Sequence, residues 1–519
     1  MNKNNALLPL VLCLSAPAFA ALGAGGGLLH SLTPPAASGD AQALIPSIRR
    51  DAESGDAQAR YLLGQAYAFG VGVPRDLTAA AEWFRKAAAQ GHAGAQYSLG
   101  VMAGSALGMA ENDAEALDWY RKAAAQGHAE AAYNLATMYH NGQGAARDDK
   151  AAFAAFRQAA EAGLADGQYM LGAMYRNGFG VPLDNTQALV WFRKAAGQGL
   201  MVAQHDLAVL YGNGQGTPVD RAQAAEWFRK AAEQGDRDSQ KNLGDILHRG
   251  LGVPRDDAEA VRWFRKAAQQ GDAAAQTALG LMLHADEGAP ADDAEAVRWL
   301  SAAALQSGQA EAQYNLAVIL AGTGDLSGAA AWYRQAADQG HAGAQFNLAL
   351  LLAAGQGVTR DEAEALDWYR KAAEQGHPRA QANLGVMLHN GAGTPRDDAE
   401  AARWFEKAAA QGNADAQNNL GVLYRNGDGV AKAPAAAATW FEQAARQGHG
   451  KAQSSLGALY AEGNGVPKDP VRAWAWLSLA AAQGSSRAAA LRDTVAAGMT
   501  PDQLADARRM ASELVGAGR

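Results

Sequence analysis

The chain has 519 residues, of which 49% are hydrophobic and 19% are charged, and its formal net charge is −8. This balance excludes a chain that is disordered throughout or apolar enough to lie in a membrane along its whole length. An acidic chain also lacks the general basic surface that displaces counterions from nucleic acids, which argues against a nucleic-acid partner.

The N-terminus has the pattern of a secretory signal peptide. Lys3 precedes a short apolar run, Ala6 to Ser15, and Ala18 and Ala20 form a small-x-small cleavage pattern. The run is too short to cross a bilayer, and no second apolar run approaches the ~18 residues that a span needs. We therefore expect residues 1–20 to be cleaved after about Ala20 and the protein to be periplasmic or secreted, without a membrane span.

The single cysteine, Cys13, lies inside this segment. Bulky Leu12 stands before it, where a lipoprotein signal requires a small residue. The mature chain would contain neither a disulfide nor a reactive thiol, so packing alone must stabilise it.

Tryptophan recurs at an almost constant interval along the chain. The interval is 36 residues throughout, except for 33 residues between Trp299 and Trp332, when Ala155 is counted in the one slot without tryptophan. The tryptophans of this series are Trp83, Trp119, Trp191, Trp227, Trp263, Trp299, Trp332, Trp368, Trp404, Trp440 and Trp476. A fixed period of this length indicates a repeat array, here of twelve units.

The unit spanning residues 236–271 shows how each repeat should fold. An apolar face at helical spacing is followed by Gly250, which can end a helix in a left-handed conformation, and by Pro254. Asp256 then offers an N-cap oxygen, and Glu259 would complete a capping box. We predict two antiparallel helices per unit. One hairpin cannot bury its own apolar face, so twelve hairpins should stack around a continuous core.

A small residue follows a leucine in the first helix of every unit. Glycine inside a helix costs roughly 1 kcal/mol relative to alanine, so its repeated use predicts close approach of another helix. The small residues are Gly64, Gly100, Gly172, Gly244, Gly280, Gly385, Gly421 and Gly457, with Ala136, Ala208, Ala317 and Ala349 in the other units.

The predicted organisation has five segments. The signal peptide is followed by a flexible linker rich in Gly, Pro and Ser over residues 21–42. Residues 43–55 should form an N-terminal capping helix, and residues 56–484 hold the twelve repeats. Residues 485–519 should form C-terminal capping helices.

One spaced pattern is met in all units, for example in Ala414-Asp-Ala-Gln-Asn-Asn-Leu-Gly-Val-Leu-Tyr424, followed by Gly427-Asp-Gly-Val430 and by Trp440-Phe-Glu-Gln-Ala-Ala-Arg-Gln-Gly448. This pattern resembles the Sel1-like repeat, which is related to the tetratricopeptide repeat. The resemblance implies an all-α fold, an α-solenoid of about twelve 36-residue antiparallel helix hairpins in a right-handed superhelix with helical caps. It also implies a scaffold for protein assemblies, since bacterial members resemble envelope proteins of polysaccharide export, signalling and host contact.

Two units depart from the pattern. The second unit lacks the Gly-x-Gly turn between Gly104 and Asn112. The eighth unit is shortened between Gly322 and Gly328, just after one extra residue near Ser307. We predict a local change in superhelical pitch at the eighth unit.

Three recurring motifs resemble functional motifs but are better explained by the repeat. Gly-x-Gly recurs without the preceding strand of a phosphate-binding loop and marks a turn. Paired acids precede helices, where capping explains them, at Asp148-Asp149, Asp256-Asp257, Asp292-Asp293 and Asp397-Asp398. Histidines at the unit boundaries are interpreted as turn residues: His92, His128, His341, His377 and His449. Zinc-ligand and serine-nucleophile motifs are missing, so we predict no metal, no cofactor and no catalytic residue.

The first helix of each unit offers a candidate binding face opposite its core. In the third unit residues 130, 133, 137, 140 and 141 share this face, which by resemblance to tetratricopeptide repeats would line the concave groove. Asparagine can bond the backbone of an extended peptide, and Tyr and Arg often anchor interfaces. The candidates are Tyr97, Tyr133, Tyr169, Tyr314, Asn134, Asn242, Asn315, Asn347, Asn383, Asn419, His140, Arg176, His248, His284, His389 and Arg425. Alternatively, Asn and Tyr pack between units, and His and Arg are solvated.

We interpret the chain as a non-enzymatic scaffold of the bacterial envelope that binds a protein or peptide along the groove. One alternative is an enzyme of cell-wall or β-lactam chemistry, suggested by cysteine-rich relatives whose cysteines this chain lacks. The other is a glycan-binding rod in polysaccharide export. The sequence leaves a peptide and a glycan open as ligands.

Overall fold

The computed structural model describes residues 41–306 and 308–517, and the predicted signal peptide and Ser307 lie outside this range. All regular secondary structure in this range is α-helical. Two compact units divide the chain, the first ending at Asp272 and the second beginning at Ala273.

The helices have nearly uniform lengths in both units. Those of the first unit are α1 Ala41–Ser54, α2 Ala57–Phe69, α3 Leu77–Ala88, α4 Ala93–Gly104, α5 Asp113–Ala124, α6 Ala129–Asn141, α7 Asp149–Glu161, α8 Ala165–Asn177, α9 Asn185–Gly197, α10 Met201–Asn213, α11 Arg221–Glu233, α12 Arg237–Arg249 and α13 Asp257–Gln269. Those of the second unit are α14 Ala273–His284, α15 Asp293–Ala304, α16 Ala310–Gly322, α17 Leu326–Asp338, α18 Ala342–Ala354, α19 Glu362–Glu374, α20 Pro378–Asn390, α21 Asp398–Ala410, α22 Ala414–Asn426, α23 Pro434–Arg446, α24 Gly450–Glu462, α25 Pro470–Ala482, α26 Ser486–Ala496 and α27 Pro501–Ala517.

From α2 to α25 the helices form twelve hairpins, numbered 1 to 12 in chain order. We call the even-numbered helix of each hairpin its leading helix and the odd-numbered helix its trailing helix. Within each unit, a trailing helix packs both on its own leading helix and on the leading helix of the next hairpin. This stacking confirms the predicted all-α solenoid of hairpins. None of the helices that the structure describes is long and apolar enough to cross a membrane.

Hairpin 6 shows why the sequence folds in this way. Gly250 ends α12 in the left-handed conformation, with φ 63°. Asp256 caps α13, because its Oδ1 accepts a hydrogen bond from the N–H of Glu259 at 2.8 Å. Both termini therefore behave as predicted from the turn and cap residues.

The second half of the predicted capping box is wrong. The N–H of Asp256 donates to the carbonyl of Leu247 at 3.0 Å and not to Glu259. The Glu259 carboxylate instead accepts from the Trp263 indole at 3.0 Å and from Arg229 of the preceding trailing helix at 2.7 Å. This glutamate therefore holds a tryptophan in place and joins neighbouring hairpins, which sequence spacing alone does not reveal.

The small residue of the leading helix marks a close helix approach, as predicted. A Cβ built on Gly244 would lie 2.8 Å from the ring of Phe264, inside the same hairpin. At the eight glycines of this kind, the nearest atom of the trailing helix would be 2.6–2.8 Å away. The facing side chain is fully buried in most hairpins, as for Phe84 and Phe441, so glycine makes room for the largest residues of the core.

A series of paired glutamines, which we call the glutamine ladder, crosses the core of each unit. Gln381 is only 4% exposed, and its Nε2 donates to the carbonyl of Ala373 in the preceding trailing helix at 3.1 Å. Its Oε1 accepts from Gln411 at 2.8 Å, and Gln411 also donates to the carbonyl of Gly376 at 3.2 Å. The pairs are Gln96–Gln126, Gln168–Gln198, Gln204–Gln234, Gln240–Gln270, Gln276–Gln306, Gln313–Gln339, Gln345–Gln375, Gln381–Gln411, Gln417–Gln447 and Gln453–Gln483. In every pair except Gln276–Gln306, the buried glutamine donates to the hairpin before it and accepts from the glutamine at the end of its own trailing helix.

Hairpin 3 has neither member of the pair. Ala132 and Ala162 occupy the two positions. Gln158, one turn earlier in the trailing helix, donates instead to the carbonyl of Ala124 in hairpin 2. The two glutamines are therefore absent together, since either one alone would leave a buried amide without its partner.

Helices outside the hairpins cover the two ends of the array. α1 packs on α2 and buries Ile45 and Ala52, and α26 and α27 pack on α25. α27 begins with a reciprocal cap, in which Thr500 Oγ1 accepts from Gln503 N at 3.2 Å and Gln503 Oε1 accepts from Thr500 N at 2.9 Å. The segment boundaries given above, and the change of pitch at the shortened eighth repeat, stay predictions.

Candidate protein-binding face

The candidate residues occupy three equivalent positions of the leading helices: the fifth, the sixth and the twelfth residue. The structure places them along one row in each unit, but most of them already have partners inside the protein. Residues that are engaged inside the protein and residues that are free have different consequences for binding.

The aromatic residue at the fifth position stacks on the first residue of the next hairpin. The ring of Tyr97 lies 4.5 Å from that of His128, and the ring of Tyr314 lies 4.4 Å from that of His341. Tyr97 is only 5% exposed. Tyr133 packs edge-on against Phe156, and its burial raises the pKa of Tyr133 to about 12. Tyr97 and Tyr314 therefore join neighbouring hairpins, whereas Tyr133 packs inside hairpin 3.

The boundary histidines are more than turn residues, since each caps a leading helix. The Nδ1 of His92, His128, His341, His377 and His449 accepts a hydrogen bond from the backbone N–H three residues later, at 3.1–3.3 Å. The same role falls to Asp56, Asp236 and Asn413 in other hairpins. An imidazole can accept at Nδ1 only when it is neutral there.

Acidification is expected to destabilise the hairpins that histidine caps. Burial lowers the pKa values of His92, His128 and His377 below the usual 6.5. Their contribution to stability is therefore complete above pH 6.5 and is lost as the pH falls through the lower folded pKa values. We expect the triple substitution of these histidines by asparagine to reduce the drop in Tm between pH 7.5 and pH 5.5, measured by circular dichroism.

The natural asparagine cap at Asn413 shows that this replacement preserves the cap. A variant with His377→Ala is the matched control, because it removes the cap at every pH and should cost about 1 kcal/mol. An unchanged Tm difference between the two pH values in the asparagine variant would contradict the assignment.

The asparagine at the sixth position often contacts a tyrosine of the preceding hairpin. Asn383 Nδ2 donates to the hydroxyl of Tyr369 at 3.1 Å. Asn134 and Asn347 lie beside the trailing-helix tyrosines Tyr120 and Tyr333, where they oppose the rise that burial causes in the pKa values of these tyrosines. The other candidates lack such a tyrosine: Asn242 is buried, Asn315 donates to Glu311, and Asn419 accepts from Asn418.

The histidine at the twelfth position pairs with the second acid of each Asp-Asp motif. The distance from Nδ1 to the carboxylate is 2.6–2.9 Å in four hairpins: His140–Asp149, His248–Asp257, His284–Asp293 and His389–Asp398. The first acid of each motif caps the trailing helix, as predicted. Hydrogen bonds from Arg255 and His248 hold the pKa of Asp257 below its usual range. Arg425 lies over the ring of Phe441 at 5.7 Å.

Hairpins 4 and 5 are joined instead by a buried ionic network. Arg176 Nη1 lies 2.9 Å from Asp206 Oδ2, and the two side chains are 12% and 6% exposed. The hydroxyl of Tyr169 donates to the same oxygen at 3.0 Å. Burial and the adjacent carboxylate raise the pKa of Tyr169 above its usual value. The network fixes hairpin 4 on hairpin 5.

A serine, a histidine and an aspartate meet beside this network, but not as a catalytic relay. Ser239 Oγ and Asp236 Oδ2 both lie within 3.0 Å of the same atom, His205 Nδ1. A relay needs the hydroxyl and the carboxylate on different ring nitrogens. Burial lowers the pKa of His205, but the hydrogen bond to Asp236 and the negative charges of the nearby aspartates together outweigh it, so that the net shift is upward. Ser239 is fully buried, and the cluster is a structural junction.

Sequence reasoning missed an aliphatic row on the same face. The ninth residue of four consecutive leading helices is a large aliphatic side chain that is 37–41% exposed: Leu281, Val318, Leu350 and Val386. We call these four residues the aliphatic row. At the same position in the first unit Val101, Ala173 and Val209 are buried, so the row is a property of the second unit. Aligning the units at this position would have shown the run of Leu and Val.

A small cleft of about 210 Å³ lies on the same face, at the fifth and sixth positions. Tyr314, Phe346, Asn347 and Arg379 line it. No cluster of potential metal ligands occurs among the residues that the structure describes. The face therefore combines exposed aliphatic side chains with partly or fully buried aromatic rings, an amide and the exposed cation of Arg379.

These features define an α-helical repeat protein whose leading helices carry a candidate binding face. The Sel1 repeat model matches it twelve times in succession, over residues 57–92, 93–128, 129–164, 165–200, 202–236, 237–272, 273–307, 310–341, 342–377, 378–413, 414–449 and 450–485. The chain belongs to the Sel1 repeat family. Proteins of this family generally act as scaffolds for protein interactions and are typically non-catalytic.

The chain is also similar to several solved structures. A protective antigen present in uropathogenic Escherichia coli strains, which displays an SLR fold, is 34% identical over 91% of this chain and 94% of that chain, with a TM-score of 0.53. A Sel1 repeat protein from Oxalobacter formigenes is 33% identical over 66% of this chain and 90% of its own, with a TM-score of 0.37. An immunity protein from Pseudomonas aeruginosa is 27% identical over 41% of this chain and 81% of its own, with a TM-score of 0.25. No curated protein matches the chain.

Proposed function

We propose that the chain is a non-enzymatic scaffold of the bacterial envelope, which binds an extended segment of a partner protein along the leading helices of the second unit. The observation that carries the proposal is the aliphatic row, in which Leu281, Val318, Leu350 and Val386 expose a large apolar side chain once per hairpin. Burying one such side chain contributes about 1.5–3 kcal/mol, so a ligand that covers several of them gains substantial affinity.

The neighbouring groups favour a peptide as the ligand. Asn347 and Asn383 lie against tyrosines of the preceding trailing helices. Asn315 and Asn419 contact no such tyrosine, so their amides are better placed to bond a peptide backbone. The cleft beside Tyr314 can take a side chain. A glycan ligand would instead need open aromatic faces, whereas the ring of Tyr314 is covered on one side by His341.

Export to the envelope is the second part of the proposal. It is supported by the pattern of residues 1–20 and by the loss of the only cysteine with that segment. N-terminal sequencing of the protein from a periplasmic fraction tests it, and the expected first residue is Ala21.

Peptide selection tests the binding face. Purified mature protein is panned against a random-peptide display library, and the enriched peptides are measured by fluorescence anisotropy. We expect extended peptides with spaced apolar residues. Because each row residue would be buried in the complex, Leu350→Asp and Val386→Asp should each weaken binding by about tenfold or more.

Two exposed aliphatic residues outside the face provide the matched control. Leu183 and Val219 lie in turns and are 62% and 54% exposed. Leu183→Asp and Val219→Asp should leave the affinity unchanged. Failure to enrich any peptide, or equal losses in the row and control variants, would refute the proposed function.

A further inference from the structure

The face of the second unit contains a larger cleft near its C-terminal end. Its volume is about 620 Å³, and it lies where the leading helix α24 meets α26. Lys451, Ser454 and Ser455 line it from α24, and Arg487 lines it from α26. The lining is thus mainly polar, unlike the aromatic cleft beside Tyr314.

The cleft exists because the fifth position loses its aromatic residue. Hairpins 8 and 9 carry Tyr314 and Phe346 there, and each ring fills the space against the next histidine cap. Hairpins 10 to 12 carry Ala382, Asn418 and Ser454 instead. The next cap after Ser454 is Ser485, which has no ring to stack on. Small residues therefore leave room at the place where other hairpins are filled.

The charges of the cleft are unbalanced. Neither Lys451 nor Arg487 has an ion pair or hydrogen bond with any residue in the described ranges, and both are exposed. Within those ranges the hydroxyls of Ser454 and Ser455 also have no hydrogen-bond partner. The one acid of the lining, Asp415, is already paired with His449 Nε2 at 3.1 Å. The cleft therefore offers two cations and two hydroxyl donors in a chain whose net charge is −8.

We propose that this cleft binds the carboxylate of an acidic side chain in the partner segment. The inference rests on the proposed function, since it assigns the second contact of the same ligand. Arginine and lysine bind carboxylates through charge-assisted hydrogen bonds, and the serine hydroxyls add neutral donors. A segment that covers the aliphatic row in hairpins 7 to 10 and continues along the leading helices reaches the cleft after hairpin 11. The preferred ligand is then an apolar segment followed by Glu or Asp.

Defined peptides separate this contact from the apolar one. The probes are fluorescein-labelled, C-terminally amidated peptides in which four leucines alternate with serines and are followed by three glutamates or by three glutamines. A third probe has the three glutamines and a free terminal carboxylate. We expect the glutamate peptide to bind about tenfold more tightly than either other probe in 50 mM salt. High salt should reduce this advantage, because these cations are exposed.

The variants decide which residues carry the preference. The double substitution Lys451→Met and Arg487→Met should abolish the preference for glutamate and leave the affinity for the glutamine peptide unchanged. Both side chains are exposed, so we expect the variant to fold normally. The matched control is Lys468→Met, an exposed lysine of the same hairpin at its opposite end.

Each other outcome overturns the inference in a recognisable way. Equal binding of glutamate and glutamine peptides, with loss in Leu350→Asp, refutes the carboxylate site and keeps the proposed function. A preference for the free terminal carboxylate, or one that survives the double substitution, also refutes the site. Absence of binding by all three probes refutes the inference together with the binding face.

Discussion

Replacing Asp206 with alanine is expected to lower the free energy of unfolding of the region around hairpins 4 and 5 by about 3–5 kcal/mol. The substitution leaves the guanidinium of Arg176, only 12% exposed, without its carboxylate and removes the acceptor of the Tyr169 hydroxyl. Hydrogen exchange of α8 and α10, measured by mass spectrometry, reports this loss as faster local opening.

An exposed aspartate two helices away in the chain gives the control. Asp238 pairs with Arg237 at 3.1 Å, but the two side chains are 41% and 49% exposed. Water screens such a pair, so Asp238→Ala should cost less than about 1 kcal/mol. Similar protection in the two variants would mean that the network around Asp206 is not stabilising.

Replacing Gly252 with alanine is expected to cost more than about 3 kcal/mol. Its φ of 76° is unfavourable for alanine by about 1–2 kcal/mol. In addition, the new Cβ would lie 2.5 Å from Arg221 Cβ and 2.9 Å from the backbone nitrogen of Ala222, at the start of the preceding trailing helix. That backbone cannot move without separating hairpins 5 and 6. Hydrogen exchange of α11 and α12 should increase strongly.

Alanine substitutions at two other glycines of the same hairpin are the controls for Gly252→Ala. Gly271 has a φ of 86° but no atom within 4 Å of an added Cβ, so Gly271→Ala should cost only the conformational strain. Gly244→Ala meets the ring of Phe264, yet the chain itself places Ala136 and Ala208 opposite phenylalanines. We expect a change within about 1 kcal/mol there. A Gly252→Ala variant no less stable than Gly271→Ala would disprove the close contact.

The fold could be predicted because its determinants are local and repeated. Most repeats contain the same tryptophan, the same left-handed glycine and the same aspartate cap. The fold of one repeat therefore predicts the fold of nearly all the others. Close packing could also be predicted from one repeat. Glycine lowers the stability of a helix, so the presence of Gly244 inside α12 already indicated that another helix packs closely against it. The role of Glu259 was not accessible in this way, because its partner Arg229 belongs to the preceding hairpin.

The binding face could be predicted only in part. The position of the candidate residues on the leading helices follows from helical spacing, but whether a side chain is free depends on the neighbouring hairpin. Asn383 looks like Asn419 in the sequence, yet only Asn383 has a tyrosine hydroxyl opposite it. Likewise Val209 is buried and Val386 is exposed at the same helical position. The sequence period therefore predicts where a residue lies on its helix. Its exposure depends on contacts with the neighbouring hairpins, which the period does not reveal.

The glutamine ladder bears on how a chain of this kind can change its length. Within a unit, each junction apart from that between hairpins 2 and 3 has a glutamine pair, and its buried glutamine donates to a carbonyl of the preceding trailing helix. Duplicating or deleting one whole hairpin therefore recreates an equivalent junction. Hairpin 3 is the exception, because Ala132, Ala162 and Gln158 form a different set. Recombination between genes of this type should therefore tolerate crossovers that exchange complete hairpins. A crossover inside hairpin 3 would instead combine one glutamine with Ala132 or Ala162 and leave a buried amide without its partner.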